Sequence, residues 1–380
     1  MLKTLQVGLE WFDDRPGGSN RYYYDCANSF SSANIQFDGL VAGRKIKSNS
    51  QAKIIPFAPA DDSLFQRWLK IRKSFQNLTS QQNYDLIVSH FAFYTFPLLN
   101  LLSDRPLVTH FHGPWALESD VEQPKPIAIW LKKKLEITVY RRSTQFIVLS
   151  QTFRDLLNRE YQVPLEKIQV IPGGADIDRF NIKTSLPEAR DNLGWDRERP
   201  IIFCIRRLAK RMGLENLITA MAQVRDRHPD ILLCIAGKGA LASTLQTQIS
   251  ELELTDNVKL LGYISDEQLP LYYRAANFSV VPTVALEGFG LIIVESLAAG
   301  TPVLGTPIGG IPEILRPFSN DLVFDGYNPN QLARGIIEAL SGDRPLPSSQ
   351  ACLDYAAANY SWHKIARQIK QVYQKAIDES

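Results

Sequence analysis

Residues 287–295 read EGFGLIIVE, two carboxylates with seven residues between them. Glu287 sits beside Gly288 and Gly290, and an apolar helix pattern starts at Leu291. A glycine turn lets backbone N–H groups approach a ligand closely. A helix start adds partial positive charge, so the combination suits a phosphate. Glu287 then stands beside whatever the phosphate carries, and Glu295 lies where an acceptor carboxylate binds sugar hydroxyls. Read this way, the segment grips a sugar–diphosphate–ribose chain from both ends. The alternative is an ordinary amphipathic helix with Glu295 in solvent, and short motifs match by chance.

Cations occur nearby. IRRLAKRMGLENL places Arg206, Arg207, Lys210 and Arg211 between a strand pattern and a helix pattern. Such a run is usually a solvated face. At a strand end of the same domain as EGFG, it would meet a diphosphate, bidentately through arginine. IAGKG adds Lys238 as a secondary phosphate candidate. RPGGSNRYYYD follows the first strand, so Gly17 and Gly18 could approach a phosphate or an acceptor, although on its own the segment reads first as a plain turn. The turn is not GxGxxG, and no acidic ribose reader lies about 20 residues on, which argues against a dinucleotide site.

VTHFHGPW ends a strand with His110 and His112 in i, i+2 register, on one side if the strand persists. No third ligand motif accompanies them, so a histidine aimed at a sugar hydroxyl is preferred to a metal pair. Asp176 and Asp178 in GADIDRF have metal-pair spacing but read as turn-capping aspartates. No metal site is expected.

The elements that position these residues are short apolar runs alternating with amphipathic ones. LQVGLEW, DLIVSHF, PLVTHF and QFIVLS read as buried strands in the first half; PIIFCI, DILLCIAG, NVKLLG, FSVVP and TPVLG read so in the second. This is parallel α/β grammar, and 380 residues exceed one ordinary core. Two doubly wound domains follow: residues 1–180, a linker at 181–199, and residues 200–360. Ligand loops are expected at the strand carboxyl ends, with a cleft between the domains as the natural site. Residues 361–380 form a long helix pattern with no strand after it.

Net charge is +2, so nothing global demands nucleic acid. Four scattered cysteines read as buried, reduced thiols in the cytoplasm. The amino terminus shows no signal-peptide core. The basic stretch at 124–143, with Trp130, reads as a surface helix packing one face, and an anionic membrane surface is the alternative.

Taken together, these motifs resemble the retaining glycosyltransferases of family 4, with the GT-B fold of two facing Rossmann-like domains. PTVALEGFGLIIVESLAAGTPVLGTPIGGIPEIL is similar to the family's Glu-x7-Glu signature. PGGSNRYYYD, FHG, VIPGGADIDRF, the strand-end arginines and IAGKG fall in the family's order. The resemblance implies a nucleotide-sugar donor held mainly by the carboxyl-terminal domain. Glu295 would bind ribose, and Glu287 with the backbone of Phe289, Gly290 and Leu291 would hold sugar and diphosphate. Tyr263 lies where the backbone reads the base. Arg207 matches the arginine that neutralises the diphosphate, Gly18 would close over the phosphates, and His112 would reach the transferred sugar. The last helix would cross back onto the amino-terminal domain. Where the family has lysine before the loop glycine, this chain has Met212, so Arg211 is expected to take over that role.

The expected reaction is metal-independent hexosyl transfer, with UDP-glucose or another UDP-hexose as donor. The acceptor would be an envelope polysaccharide or its lipid-linked precursor. The site would be cytoplasmic, at or near the inner membrane face. A nucleotide-sugar 2-epimerase on the same fold and a non-catalytic sugar-binding protein are the rival readings.

Overall fold

The computed structural model describes residues 1–44, 52–122 and 125–380. Pro124, the first residue of the basic stretch, lies outside them. The chain forms two compact units, Met1–Gly174 with Trp362–Ser380, and Ala175–Ser361.

The first unit is built on a seven-stranded parallel sheet. Its strands are β1 (Leu2–Glu10), β2 (Ile35–Ala42), β3 (Lys53–Ala58), β4 (Leu86–Ser89), β5 (Leu107–Phe111), β6 (Gln145–Val148) and β7 (Ile168–Val170). The order is β3-β2-β1-β4-β5-β6-β7. Helices cover such a sheet on both faces, so a central strand needs apolar residues at every position rather than at alternate ones. LIVS in β4 and LVTHF in β5 are buried throughout. The chain runs outward from β1 through β3 and then returns to β4 on the other side of β1. That reversal leaves a crevice at the carboxyl ends of β1 and β4.

The final helix, Trp362–Asp378, belongs to this unit. Its buried residues Trp362, Ile365, Ala366, Ile369, Val372, Tyr373 and Ala376 recur at three- and four-residue spacing, one apolar stripe. Trp362 Nε1 donates to Asp25 Oδ2 at 3.2 Å, and Gln145 Nε2 donates to Glu379 Oε2 at 2.7 Å.

The second unit carries β8 (Ile201–Ile205), β9 (Leu232–Ala236), β10 (Val258–Gly262), β11 (Phe278–Val281) and β12 (Val303–Gly305), in the order β10-β9-β8-β11-β12. All pairs are parallel, and the reversal lies between β8 and β11.

Two boundaries differ from expectation. The first unit ends at Gly174 rather than 180, because Ala175 N donates to Tyr360 O at 2.9 Å and pairs across to Ser361. Residues 181–199 are not a free linker either. They hold the helix Leu186–Leu193, opened by a Ser185/Glu188 capping box and closed by Gly194. Arg190 is buried there, donating to Ala275 O at 2.9 Å and to Asn277 Oδ1 at 2.8 Å. Two helical turns are too short to show a period, which hid the helix in the sequence.

Candidate active site

In the second unit, every residue singled out for donor chemistry lies beyond a strand's carboxyl end. The core of the arrangement is at the reversal between β8 and β11. There Arg206, the first residue after β8, makes an ion pair with Glu287 and also donates to Thr283 Oγ1. Both charged side chains are nearly inaccessible to solvent. Thr283 Oγ1 donates to Glu287 Oε2 at 3.1 Å. Burial pushes the Glu287 carboxyl up, but Arg206, then Arg211 and the Thr283 hydroxyl, pull it down further, leaving it below the usual carboxylate range. Glu287 is thus an anion whose charge is balanced by the protein itself, not a proton donor.

The turn around Glu287 is fastened from three sides. Leu286 adopts a left-handed conformation (φ 51°), costly for a branched apolar residue, and its carbonyl accepts from Arg211 Nη1 at 3.0 Å. The loop after β12 closes from below. Gly310 N donates to Glu287 O at 3.0 Å, and a Cβ on Gly309 would lie 1.9 Å from that same oxygen. Gly213 (φ 71°) lets the β8 loop reach the β11 loop, where a Cβ would lie 2.0 Å from Pro282 O.

These contacts redistribute the arginine roles. Arg206, not assigned from the sequence, is the partner of Glu287. Neighbouring residues in extended chain project to opposite sides, so only one of Arg206 and Arg207 can turn toward the glutamate. Arg207 is exposed at the end of β8, and Lys210 is exposed as well. Arg211 is part-buried against the Leu286 carbonyl. Met212 is buried, so a lysine substituted there would start inside the core rather than at a phosphate.

Gly290 caps the helix Leu291–Ala298, and Phe289 is buried, so this stretch offers a ligand its backbone rather than the Phe289 ring. Glu295 is the fifth helical residue. It is buried rather than solvated, and Tyr273 Oη lies 3.3 Å from its Oε2 and 3.3 Å from Ile292 O. Burial, then the Glu295 charge, holds the Tyr273 phenol well above its usual value. A buried carboxylate on an apolar helix calls for a reason beyond solubility. Tyr263 is half-exposed after Gly262, with Lys238 Nζ 5.3 Å from its ring centroid, and Gly237 N donates to Gly262 O at 2.7 Å. The loops after β9 and β10 therefore adjoin.

In the first unit the reversal point between β1 and β4 collects three histidines. Gly17 and Gly18 are exposed at the start of the helix Gly18–Ser29, with open space where each Cβ would lie, so packing within the unit does not demand glycine. His90 follows β4, His110 is in β5 and His112 follows it. The His90 ring stacks on His110 (centroids 4.5 Å) and on His112 (5.3 Å). His110 is a core histidine, with Nδ1 3.2 Å from Tyr22 Oη and Nε2 2.8 Å from Tyr373 Oη. Burial drives all three toward the neutral form, His112 down to about 4. His90 was missed in the sequence. Its signal was the matching ends of two adjacent strand runs, DLIVSHF and PLVTHF. Ser89 pairs with Thr109, which sets His90 next to His110. Among the described residues no cluster of three or more His, Cys, Asp or Glu has metal-site geometry. Asp176 caps the Ile177–Phe180 turn, accepting from Arg179 N at 3.1 Å.

Two family models match, "Glycosyltransferase Family 4" over residues 16–179 and "Glycosyl transferases group 1" over residues 186–359. An uncharacterized glycosyltransferase of Methanocaldococcus jannaschii is 31% identical over 62% of this chain and 61% of its own length. A GDP-mannose-dependent alpha-(1-6)-phosphatidylinositol monomannoside mannosyltransferase of Mycobacterium tuberculosis is 29% identical over 54% of this chain and 55% of its own. The chain thus spans less than two thirds of these relatives. Among solved structures, a sucrose-phosphate synthase of Thermosynechococcus elongatus superposes with a TM-score of 0.84 at 22% identity, covering 100% of both chains. HepE of Anabaena, in complex with UDP and glucose, gives 0.81 at 20% identity, covering 99% of this chain and 100% of its own. The fold is GT-B, and the chain belongs to the family 4 glycosyltransferases.

Proposed function

We propose that this protein transfers a hexosyl group, with retention, from a nucleotide-diphosphate sugar to a saccharide or lipid-linked saccharide. The observation that carries the reading is the buried Arg206–Glu287 pair in the turn before the Leu291–Ala298 helix, with the buried Glu295 one and a half turns into that helix. As the donor's anomeric bond breaks, negative charge grows on the leaving diphosphate. The Arg207 guanidinium and the first amides of the helix stabilise it, which removes the need for a metal. Glu287, held ionised, orients the sugar and faces the positive charge that develops at the anomeric carbon. Glu295 holds ribose, and His112 meets the transferred sugar.

UDP-glucose and GDP-mannose are the first donors to try. UDP with glucose occupies HepE, and the mycobacterial relative is named for GDP-mannose. The acceptor reading draws on exposed apolar residues flanked by lysines on the helix Pro126–Arg142, where Ile127, Trp130, Leu131 and Lys134 share one exposed face. That face suits peripheral contact with an anionic membrane carrying a lipid-linked acceptor.

The test is a thermal-shift panel of nucleotide sugars, followed by turnover of the stabilising donor in excess EDTA. A ligand that binds only the native state raises its stability by mass action. Full turnover in EDTA is expected. Loss restored by manganese or magnesium would overturn the metal-free reading, and a C2 epimer formed from donor alone would overturn transfer.

A further inference from the structure

The hydrogen bonds beneath His112 have directions that can be read outward from one fixed acceptor. A backbone carbonyl only accepts, so Thr4 Oγ1 donates its proton to Gln36 O at 2.8 Å. The Thr4 oxygen then receives Gln6 Nε2 at 2.8 Å. With its amide nitrogen committed to Thr4, Gln6 turns Oε1 toward His90 Nε2, 2.8 Å away. An amide oxygen only accepts, so His90 carries a proton on Nε2. His90 is buried among His110, His112, Tyr22 and Tyr23, where a second proton is disfavoured by burial and by the two neighbouring imidazoles. Its Nδ1 is therefore a lone pair. His112 Nε2 lies 3.1 Å from that lone pair and must donate to it. His112, neutral as well, is left with its lone pair on Nδ1.

We infer that Gln6 and His90 are positioning residues that fix the tautomer of His112, so that His112 meets its ligand through an Nδ1 hydrogen-bond acceptor. The chain Gln36–Thr4–Gln6–His90–His112 runs from β2 through β1 and β4 to the end of β5, across the strand-order reversal of this sheet. An acceptor at that position takes a hydroxyl, which can donate. It disfavours a carboxylate or phosphate oxygen, which can only accept. Resting on the proposal that His112 meets the transferred sugar, this makes the preferred partner a neutral sugar hydroxyl, and a uronate carboxylate at the same position would be rejected.

The chain has five histidines, so selective ¹⁵N labelling of their rings with single substitutions assigns every signal. Long-range ¹H–¹⁵N spectra distinguish a protonated ring nitrogen from a bare one. In the ligand-free protein, His90 and His112 are expected as single Nε2–H tautomers. Gln6→Glu keeps the acceptor and should preserve both patterns. Gln6→Leu and His90→Phe each cut the relay and should shift His112 toward an exchange-averaged pattern. An Nδ1–H tautomer at His112 in the unsubstituted protein overturns the relay, as does a His112 pattern unmoved by His90→Phe. The unsubstituted spectrum decides the matter even if a variant misfolds. A second arm adds UDP-glucose or GDP-mannose and compares each with its free nucleoside diphosphate. A His112 Nδ1 shift seen only with the sugar supports the sugar contact. Its absence, with the relay intact, sinks that contact and leaves the tautomer assignment standing.

Discussion

Replacing Arg206 by methionine separates two roles that the sequence could not tell apart. Arg206 and Glu287 are both nearly excluded from solvent, and removing one partner of such a pair costs about 3–5 kcal/mol, because it strands a buried charge. Burial is the largest influence on the Glu287 carboxyl, and Arg206 is the largest force opposing it. Without Arg206, the carboxyl's pKa in the folded state should rise above its unfolded value. The folded state then binds the extra proton, so the variant should be more stable at low pH and lose stability as pH rises. The intact pair has the opposite sign. Its depressed carboxyl contributes stability above the unfolded pKa, and that is lost as pH falls through the folded value. The double variant Arg206→Met/Glu287→Leu buries no charge and should recover most of the loss, giving a coupling of about 3 kcal/mol where independent sites would add.

Hydrogen exchange of the β8 and β11 strands reports opening of the second unit by itself. Arg206→Met should weaken protection there strongly at neutral pH and less at pH 5. Arg207→Met, at an exposed position, should change it by no more than about 0.5 kcal/mol. The double variant should fold and fail to turn over donor, which separates folding from chemistry. A mild Arg206→Met beside a severe Arg207→Met would refute the register drawn through this loop. Turnover by the double variant would refute the role given to Glu287.

Two further outcomes follow from the first unit. Burial lifts the Glu136 carboxyl to about 7, against the hydrogen bonds donated by Tyr161, Ala116 N, Trp115 N and Tyr140. A raised folded pKa favours the protonated folded state, so stability should fall as pH rises from about 4.5 to 7, by on the order of 3 kcal/mol. Urea unfolding at several pH values checks this, and a slope unchanged in Glu136→Gln would contradict it. Flotation with anionic phosphatidylglycerol vesicles should retain the protein, with weaker retention for Trp130→Ala and Lys134→Ala and in high salt. Equal retention on neutral vesicles would remove the charge argument.

How far the sequence carried depends on whether a feature is local. The buried strands were readable because a doubly covered sheet needs consecutive apolar residues, as in LIVS and IIFC. EGFGLIIVE was readable because turn, cap and helix lie within nine residues. Arg206 was not, because the choice between adjacent arginines depends on which side of β8 faces β11, a relation set 81 residues away. The buried Arg190 helix was hidden by brevity, since two turns carry no period.

His90 shows where the missing information resides. Twenty-two residues separate it from His112, and nothing between them marks a connection. They meet because β4 and β5 pair in parallel with Ser89 opposite Thr109, which aligns the strand ends. Register therefore supplies what local pattern cannot. Once adjacent parallel runs are aligned on their last buried residue, polar groups at their carboxyl ends become neighbours by construction. Both sheets here bury polar groups at or beside the point where the strand order reverses, Gln6, His90 and His110 in one, Arg206 and Glu287 in the other. Apolar packing alone would put none of them there. The crevice opened by each reversal is the one place in a parallel sheet where strand ends are left uncovered by their own connections, so it is where a parallel sheet has room for polar side chains that its apolar layers do not call for.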